Sequence, residues 1–69
     1  MNSDVMKMSA DLILTDTLQD ISARTGQPVD EIRRELIESG AYAALYDPQT
    51  DLWQMGPEYF IDFHRSLQA

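Results

Sequence analysis

Apolar residues in the first third of the chain recur at steps of three and four, which predicts an amphipathic helix over about residues 5–25. Gly26 follows the last periodic position and suits a left-handed helix stop. Leu12 falls outside the stripe, on the side of Val5 and Met8, so it is either a second packing edge or an exposed apolar spot. The stripe consists of Met6, Ala10, Ile13, Leu14, Thr17, Leu18 and Ile21.

The segment QPVDEIRRELIESG is the clearest helix of the sequence. Pro28 suits the first turn or the position before it, where its missing N–H costs nothing. Asp30 follows in the first turn, where a carboxylate meets the positive end of the helix dipole, and it can pair with Arg34 one turn later. Gly40 is the predicted stop. The predicted inner face holds Val29, Ile32, Leu36 and Ile37.

After Gly40 the sequence predicts short helices separated by turns. AYAALYDP is typical of a short helix or one tight turn, which Pro48 ends because it lacks an N–H. DPQTD has turn chemistry, and DLWQM is predicted to be a short extended piece. A last helix is predicted to open at Pro57. The inward residues predicted here are Tyr42, Leu45, Tyr46, Phe60, Phe63 and Leu67.

These elements predict a mostly α fold, a compact bundle of three to four short helices with a turn-rich aromatic segment before the last helix. The 69 residues allow one domain with a small core. Residues 1–8 are predicted to be either a disordered tail or a helix start, and residues 9–69 a single helical domain. The predicted core is Ile13, Leu14, Leu18, Ile21, Val29, Ile32, Leu36, Tyr42, Leu45, Phe60 and Phe63.

Composition narrows the class of partner. The formal net charge is −7, with 12 acidic and five basic residues, so the chain is repelled by nucleic-acid phosphates and suits a basic partner. The same charge also keeps a small protein in solution. The absence of Cys excludes disulfides and thiolate zinc sites. With no apolar run of membrane length and no signal-like start, we expect a cytoplasmic protein with no membrane partner.

The spacing of Ile21, Gly26 and Ile32 fits a helix-turn-helix, which makes a DNA-binding regulator the alternative function. Such a regulator would use Arg24, Arg33 and Arg34. Its recognition helix would however carry Asp30, Glu31, Glu35 and Glu38 against the phosphates. A packed helix pair with the same turn is therefore the favoured interpretation.

The segment after Tyr46 imitates a calcium loop. Asp47, Gln49, Asp51 and Glu58 occupy the ligand positions, but Leu52 stands where the sharp turn of that loop needs Gly. A polar turn leading into a buried Trp is favoured instead. No metal and no cofactor is predicted.

No residue pattern predicts catalysis. The single His, His64, is predicted to face solvent or to cap a helix, since one imidazole without Cys makes no structural zinc site. Asp16 and Asp20 share a helix face but are expected to be solvated, whereas paired carboxylates need burial to do acid–base work. No Ser lies in a nucleophile-elbow context. The protein is predicted not to be an enzyme.

The aromatic and Met residues near the last helix are predicted to belong mostly to the core. Trp53 is expected to be partly accessible, because it follows a polar turn and its indole N–H needs an acceptor. Aromatic and Met side chains are also favoured at protein interfaces. The predicted partner-binding surface therefore centres on Trp53, Met55 and Tyr59.

Residues 21–63 resemble the small bacterial family catalogued as domain of unknown function 3791. In that family two Gly-terminated helices precede a short helix ending in Tyr-Asp, a Leu-His-Thr-Gln-Gly-like box and a closing Glu-Tyr helix with an Asp near its middle. In place of His-Thr-Gln, this chain has Trp53, Gln54 and Met55, so no role of that box is carried over. The matching residues are Gly26, Gly40, Tyr46, Asp47, Leu52, Gly56, Glu58, Tyr59 and Asp62.

The resemblance implies an α-helical domain of this length and no established activity. Members of the family often lie beside other small bacterial genes, some of which resemble ADP-ribosyltransferase-like toxins. Together with the residues themselves, this predicts a non-catalytic, acidic protein-interaction module, an antitoxin-like or accessory partner of a larger bacterial protein. The partner is expected to be another protein or a second copy of the chain.

Overall fold

Five α-helices and a short 3-10 turn account for most of residues 2–68, the part of the chain that this computed structural model describes, and no strand occurs there. The predicted mostly α fold is confirmed. The helix count exceeds the predicted three to four because DLWQM, predicted to be extended, contains a helix. The helices are α1 Asn2–Thr25, α2 Val29–Ser39, α3 Ala41–Leu45, α4 Leu52–Met55 and α5 Pro57–Gln68, with the 3-10 turn Pro48–Thr50 between α3 and α4.

The long first helix is the element against which α2, α4 and α5 pack. α1 begins at Asn2, so residues 2–8 are helical, whereas Met1 and Ala69 lie outside the described residues. Its predicted stripe faces α2, α4 and α5. Small Ala10 and Thr17 are completely buried in this stripe, between larger aliphatic residues. α1 contains no apolar run that could cross a membrane, and neither does any other helix of the described chain.

Glycine and proline end and begin the helices where the sequence predicts. Gly40 adopts φ 87°, a left-handed conformation, and its N–H donates to the carbonyl of Ile37 at 3.2 Å. An L side chain at this position would be strained, so glycine here is a physical requirement. Pro28 occupies the N-cap of α2 in an extended conformation.

The core largely matches its prediction. Every predicted core residue is buried or packs against the buried cluster except Val29, which is exposed. Val29 is the first residue of α2 and has no preceding helical turn to hold it against α1. Ile37 and Leu67 are also exposed, although the pattern places them inward. Buried residues absent from the predicted core are Ala10, Thr17, Ala41, Leu52, Ile61 and His64.

Polar contacts between side chains are few and mostly at the surface. Asp20 and Arg24 pair on α1, with Nε of Arg24 3.1 Å from the carboxylate. Asp30 pairs with Arg33 at 3.9 Å and not with Arg34 as predicted. Both pairs are exposed, so each contributes at most about 1 kcal/mol to stability.

A tyrosine joins the end of α3 to the first helix. The hydroxyl of Tyr46 donates to the carboxylate of Asp11, and its ring centroid lies 5.0 Å from that of Tyr42. Partial burial, and then this carboxylate, raise the pKa of the Tyr46 phenol above its usual range. The hydroxyl therefore remains a proton donor to Asp11.

Replacing Thr17 with Val tests the packing of α1. The Thr17 hydroxyl is buried and has no hydrogen-bond partner among the described residues, which carries a desolvation cost. We expect Thr17→Val, which has nearly the same shape, to raise the free energy of unfolding by about 1 kcal/mol. Urea denaturation followed by circular dichroism measures the change. Thr15→Val, at an exposed position of the same helix, should change the free energy of unfolding by less than about 0.5 kcal/mol. An equal effect at both positions would show that the gain does not come from the buried hydroxyl of Thr17.

Candidate functional site

Local hydrogen bonds order the segment that connects α3 to α5. The carboxylate of Asp47 accepts the backbone N–H of Gln49 at 2.9 Å and caps the 3-10 turn. The hydroxyl of Thr50 donates to the carbonyl of Ala44 at 2.6 Å. Asp51 then adopts φ 58°, and this left-handed residue starts α4 in a new direction. Leu52, the first residue of α4, is buried in the core.

The three residues predicted to bind a partner lie around the junction between α4 and α5. Met55 and Tyr59 are about half exposed, at 52% and 51%, on either side of Gly56 and Pro57. Trp53 is only partly accessible and packs against the core. Its indole N–H is buried without the acceptor that we expect for it among the described residues. Trp53 thus lies between the junction and the core, while Met55 and Tyr59 form the outer surface of the junction.

A shallow depression of about 290 Å³ lies beside Tyr59 on α5, lined by Tyr59, Asp62, Phe63 and Ser66. Tyr59 and Phe63 supply aromatic rings and Asp62 a carboxylate. Asp62 approaches Arg65 at 3.9 Å in an exposed pair, so a competing cation displaces Arg65 at little cost. An aromatic ring beside a carboxylate is a suitable environment for a Lys or Arg side chain.

A wider groove of about 480 Å³ separates α1 from α5. Four carboxylates and two guanidinium groups line it, so its formal charge is negative. The exposed Asp16 and half-exposed Asp20 are found here, as expected for solvated carboxylates. The charged residues on the α5 side of the groove were not predicted from the sequence. Glu58, Asp62 and Arg65 follow one another at steps of four and three, which places them on one face of α5. The lining residues are Asp16, Asp20, Arg24, Pro57, Glu58, Ile61, Asp62 and Arg65.

The calcium-loop pattern does not form a cation site. The carboxylate of Asp47 is engaged with a backbone N–H, and Leu52, at the position that needs Gly, is buried. Glu58 lies on α5 beside the α1–α5 groove. Within residues 2–68, no three His or carboxylate side chains are arranged to hold a metal ion.

The prediction for His64 is wrong, because the imidazole is buried and only 5% exposed. α5 turns it inward between Ile61 and the end of α2, where its Nδ1 lies 3.4 Å from Oγ of Ser39. Burial lowers its pKa below the usual value, while the nearby Glu35 carboxylate opposes that shift. The periodicity of α5 carries the signal, since His64 follows Phe60 by four residues and Ile61 by three.

The Ser39–His64 contact is structural. The Ser39 hydroxyl donates to the carbonyl of Leu36 at 3.1 Å and accepts the N–H of Ala41 at 3.3 Å. The proton of the Ser39 hydroxyl is therefore already donated to the Leu36 carbonyl. The contact links the C-terminus of α2 to α5.

The two helices predicted on either side of Gly26 are present, and two of the three arginines considered for DNA contacts are paired with carboxylates. α1 and α2 are joined by the short turn of residues 26–28, in which Ser22 Oγ donates to the carbonyl of Gln27 at 2.8 Å. Of the arginines that would contact phosphates, Arg24 pairs with Asp20 and Arg33 with Asp30. Arg34 is exposed on α2, alongside the exposed Glu31 and Glu38.

Compared with protein-family models, curated proteins and solved structures, the chain gives no match.

Burial of His64 predicts a pH-dependent stability. Its pKa is lower in the folded state than in the unfolded chain, so the unfolded state binds more protons. The stabilisation is complete above the unfolded pKa of about 6.5 and is lost as the pH falls towards the folded pKa. We expect the urea midpoint to fall as the pH is lowered from about 7.5 to about 5.5. The free energy of unfolding should decrease by at most about 1.4 kcal/mol per pH unit over this range.

The matched variant is His64→Gln, which keeps a polar side chain but does not titrate. Its urea midpoint should be nearly constant over the same pH range. If the wild type and His64→Gln fall together, the pH dependence belongs to the carboxylates and not to His64.

Proposed function

We propose that this protein is a non-catalytic, acidic interaction module that binds a basic partner protein through Trp53, Met55 and Tyr59. The observation that carries the proposal is that Met55 and Tyr59 are both half-exposed, and that Tyr59 lines a depression together with the ring of Phe63 and the carboxylate of Asp62. Aromatic and Met side chains contribute disproportionately to binding energy at interfaces. Trp53 contributes its accessible edge and keeps the junction rigid.

Charge supports a basic partner over a second copy of the chain. Each chain carries a formal charge of −7, so two copies repel one another, whereas a basic surface is attracted. The rings of Tyr59 and Phe63 line the depression together with Asp62, which is a suitable environment for a Lys or Arg side chain of the partner. The resemblance to domain of unknown function 3791 is compatible with an antitoxin-like or accessory role in bacteria.

Affinity capture from native extract tests the proposal with three tagged forms of the protein. The test variant is Met55→Gln/Tyr59→Gln. The control variant, Ile37→Gln/Leu67→Gln, alters two comparably exposed apolar residues on α2 and α5. Circular dichroism establishes that all three forms are folded.

We expect the wild type and the control variant to retain one basic protein in stoichiometric amount and the test variant to lose it. With the purified partner, calorimetry should show affinity lowered at least about 30-fold, because two interface anchors are removed. Equal capture by the test and control variants would place the interface elsewhere. Salt-dependent binding to DNA without any captured protein would favour the helix-turn-helix regulator instead.

A further inference from the structure

The outer face of α1 carries a second apolar stripe, separate from the one that packs in the core. Val5, Met8 and Leu12 are 58%, 67% and 66% exposed. They follow one another at steps of three and four, so they share one side of the helix. At about 100° per residue, this side is roughly opposite the buried Ala10 and Thr17. Of the two alternatives for Leu12, the structure shows the exposed one.

Carboxylates border this outer stripe on both edges. Around the helix, Asp4 and Asp11 lie on one edge and Asp16 on the other, and all three are exposed. Lys7, the one basic residue nearby, is exposed and lies one turn from both Asp4 and Asp11, on the side of them away from the outer stripe. The outer stripe is therefore apolar along its centre and negative along its borders.

The negative border continues into the groove between α1 and α5. Asp16 lines that groove together with Asp20 and, on α5, Glu58 and Asp62. Asp20 is paired with Arg24, but no ion pair is found for Asp16 among the described residues. Basic side chains along the Asp16 edge of the outer stripe would meet further carboxylates beyond it.

We propose that the outer stripe of α1 docks an amphipathic helix of another protein, whose apolar face is bordered by Lys or Arg. Helix pairing uses apolar residues at these steps, and complementary border charges select the partner. The apolar part spans about 10 Å along α1, so two to three turns of the partner helix cover it. This surface lies on a different helix from Met55 and Tyr59, and the proposal stands independently of that interface.

Charge also decides against two other occupants. A second copy of α1 would bring the same carboxylates of both chains together, and like charges across a helix pair are destabilising. An anionic lipid surface attracts basic segments and repels this one. The basic amphipathic helix is the occupant that satisfies both the centre and the borders of the outer stripe.

The probe is a synthetic helical peptide of about 18 residues with Leu at its a and d positions and Lys at its e and g positions. Calorimetry measures its affinity for the full chain, for Met8→Gln/Leu12→Gln, and for the control Ile37→Gln/Leu67→Gln. We expect at least about tenfold weaker binding to Met8→Gln/Leu12→Gln, because two apolar contacts are lost, and no change in the control. Since both replaced residues are exposed, the variant should remain folded.

The border charges are tested separately. Asp4→Lys/Asp16→Lys should weaken binding of the Lys peptide, and a peptide with Glu in place of Lys should not bind the wild type. Equal binding to the wild type and Met8→Gln/Leu12→Gln overturns the proposal, as does loss of binding only in Met55→Gln/Tyr59→Gln. Dimerisation or binding to anionic vesicles that Met8→Gln/Leu12→Gln abolishes would also overturn it, in favour of a second copy or a membrane.

Discussion

Everything else in this molecule depends on burial of one face of α1. α2, α3, α4 and α5 contain 11, 5, 4 and 12 residues, and helices of these lengths are marginal in water on their own. They gain stability by packing, and α1, with 24 residues, provides the contact surface for α2, α4 and α5. Small residues at Ala10 and Thr17 allow close approach to this helix, and larger side chains there would separate the helices. With no Cys in the chain, no disulfide can replace this packing.

The same constraint explains where the candidate binding surfaces lie. A chain of 69 residues buries only about 60% of the surface that it exposes when unfolded, so some apolar residues must remain outside. Val29, Ile37 and Leu67 are exposed singly, and the other exposed large apolar residues form two groups. One group follows the outer face of α1, and another surrounds the turn from α4 into α5, where Leu52 and Trp53 face the core and Met55 faces out. Both groups have carboxylates beside them, which is the charge pattern on which the two proposals of a basic partner rest.

The sequence predicts the long elements well because each contains enough residues to show a period. α1 and α2 follow from the apolar steps of three and four and from the glycines that end them. α4 could not be predicted in this way, since four residues contain barely one turn and Asp51 starts it from a left-handed conformation. His64 was predicted to face solvent or to cap a helix because it is polar, whereas the period of α5 places it on the buried side. The groove between α1 and α5 is lined by residues about 40 positions apart in the sequence. The predicted bundle did not specify which faces of these two helices lie next to each other, so the groove could not be predicted.

Charge connects stability with binding in this domain. The carboxylates of α1 and α5 face one another across the groove with only Arg24 and Arg65 between them. Close packing of the two helices therefore works against electrostatic repulsion that the unfolded chain largely avoids. The proposed basic partner, bound along the outer stripe, would relieve this repulsion only in the folded state. Because such a partner would bind only the folded chain, its binding would stabilise the fold by linkage and couple binding to folding.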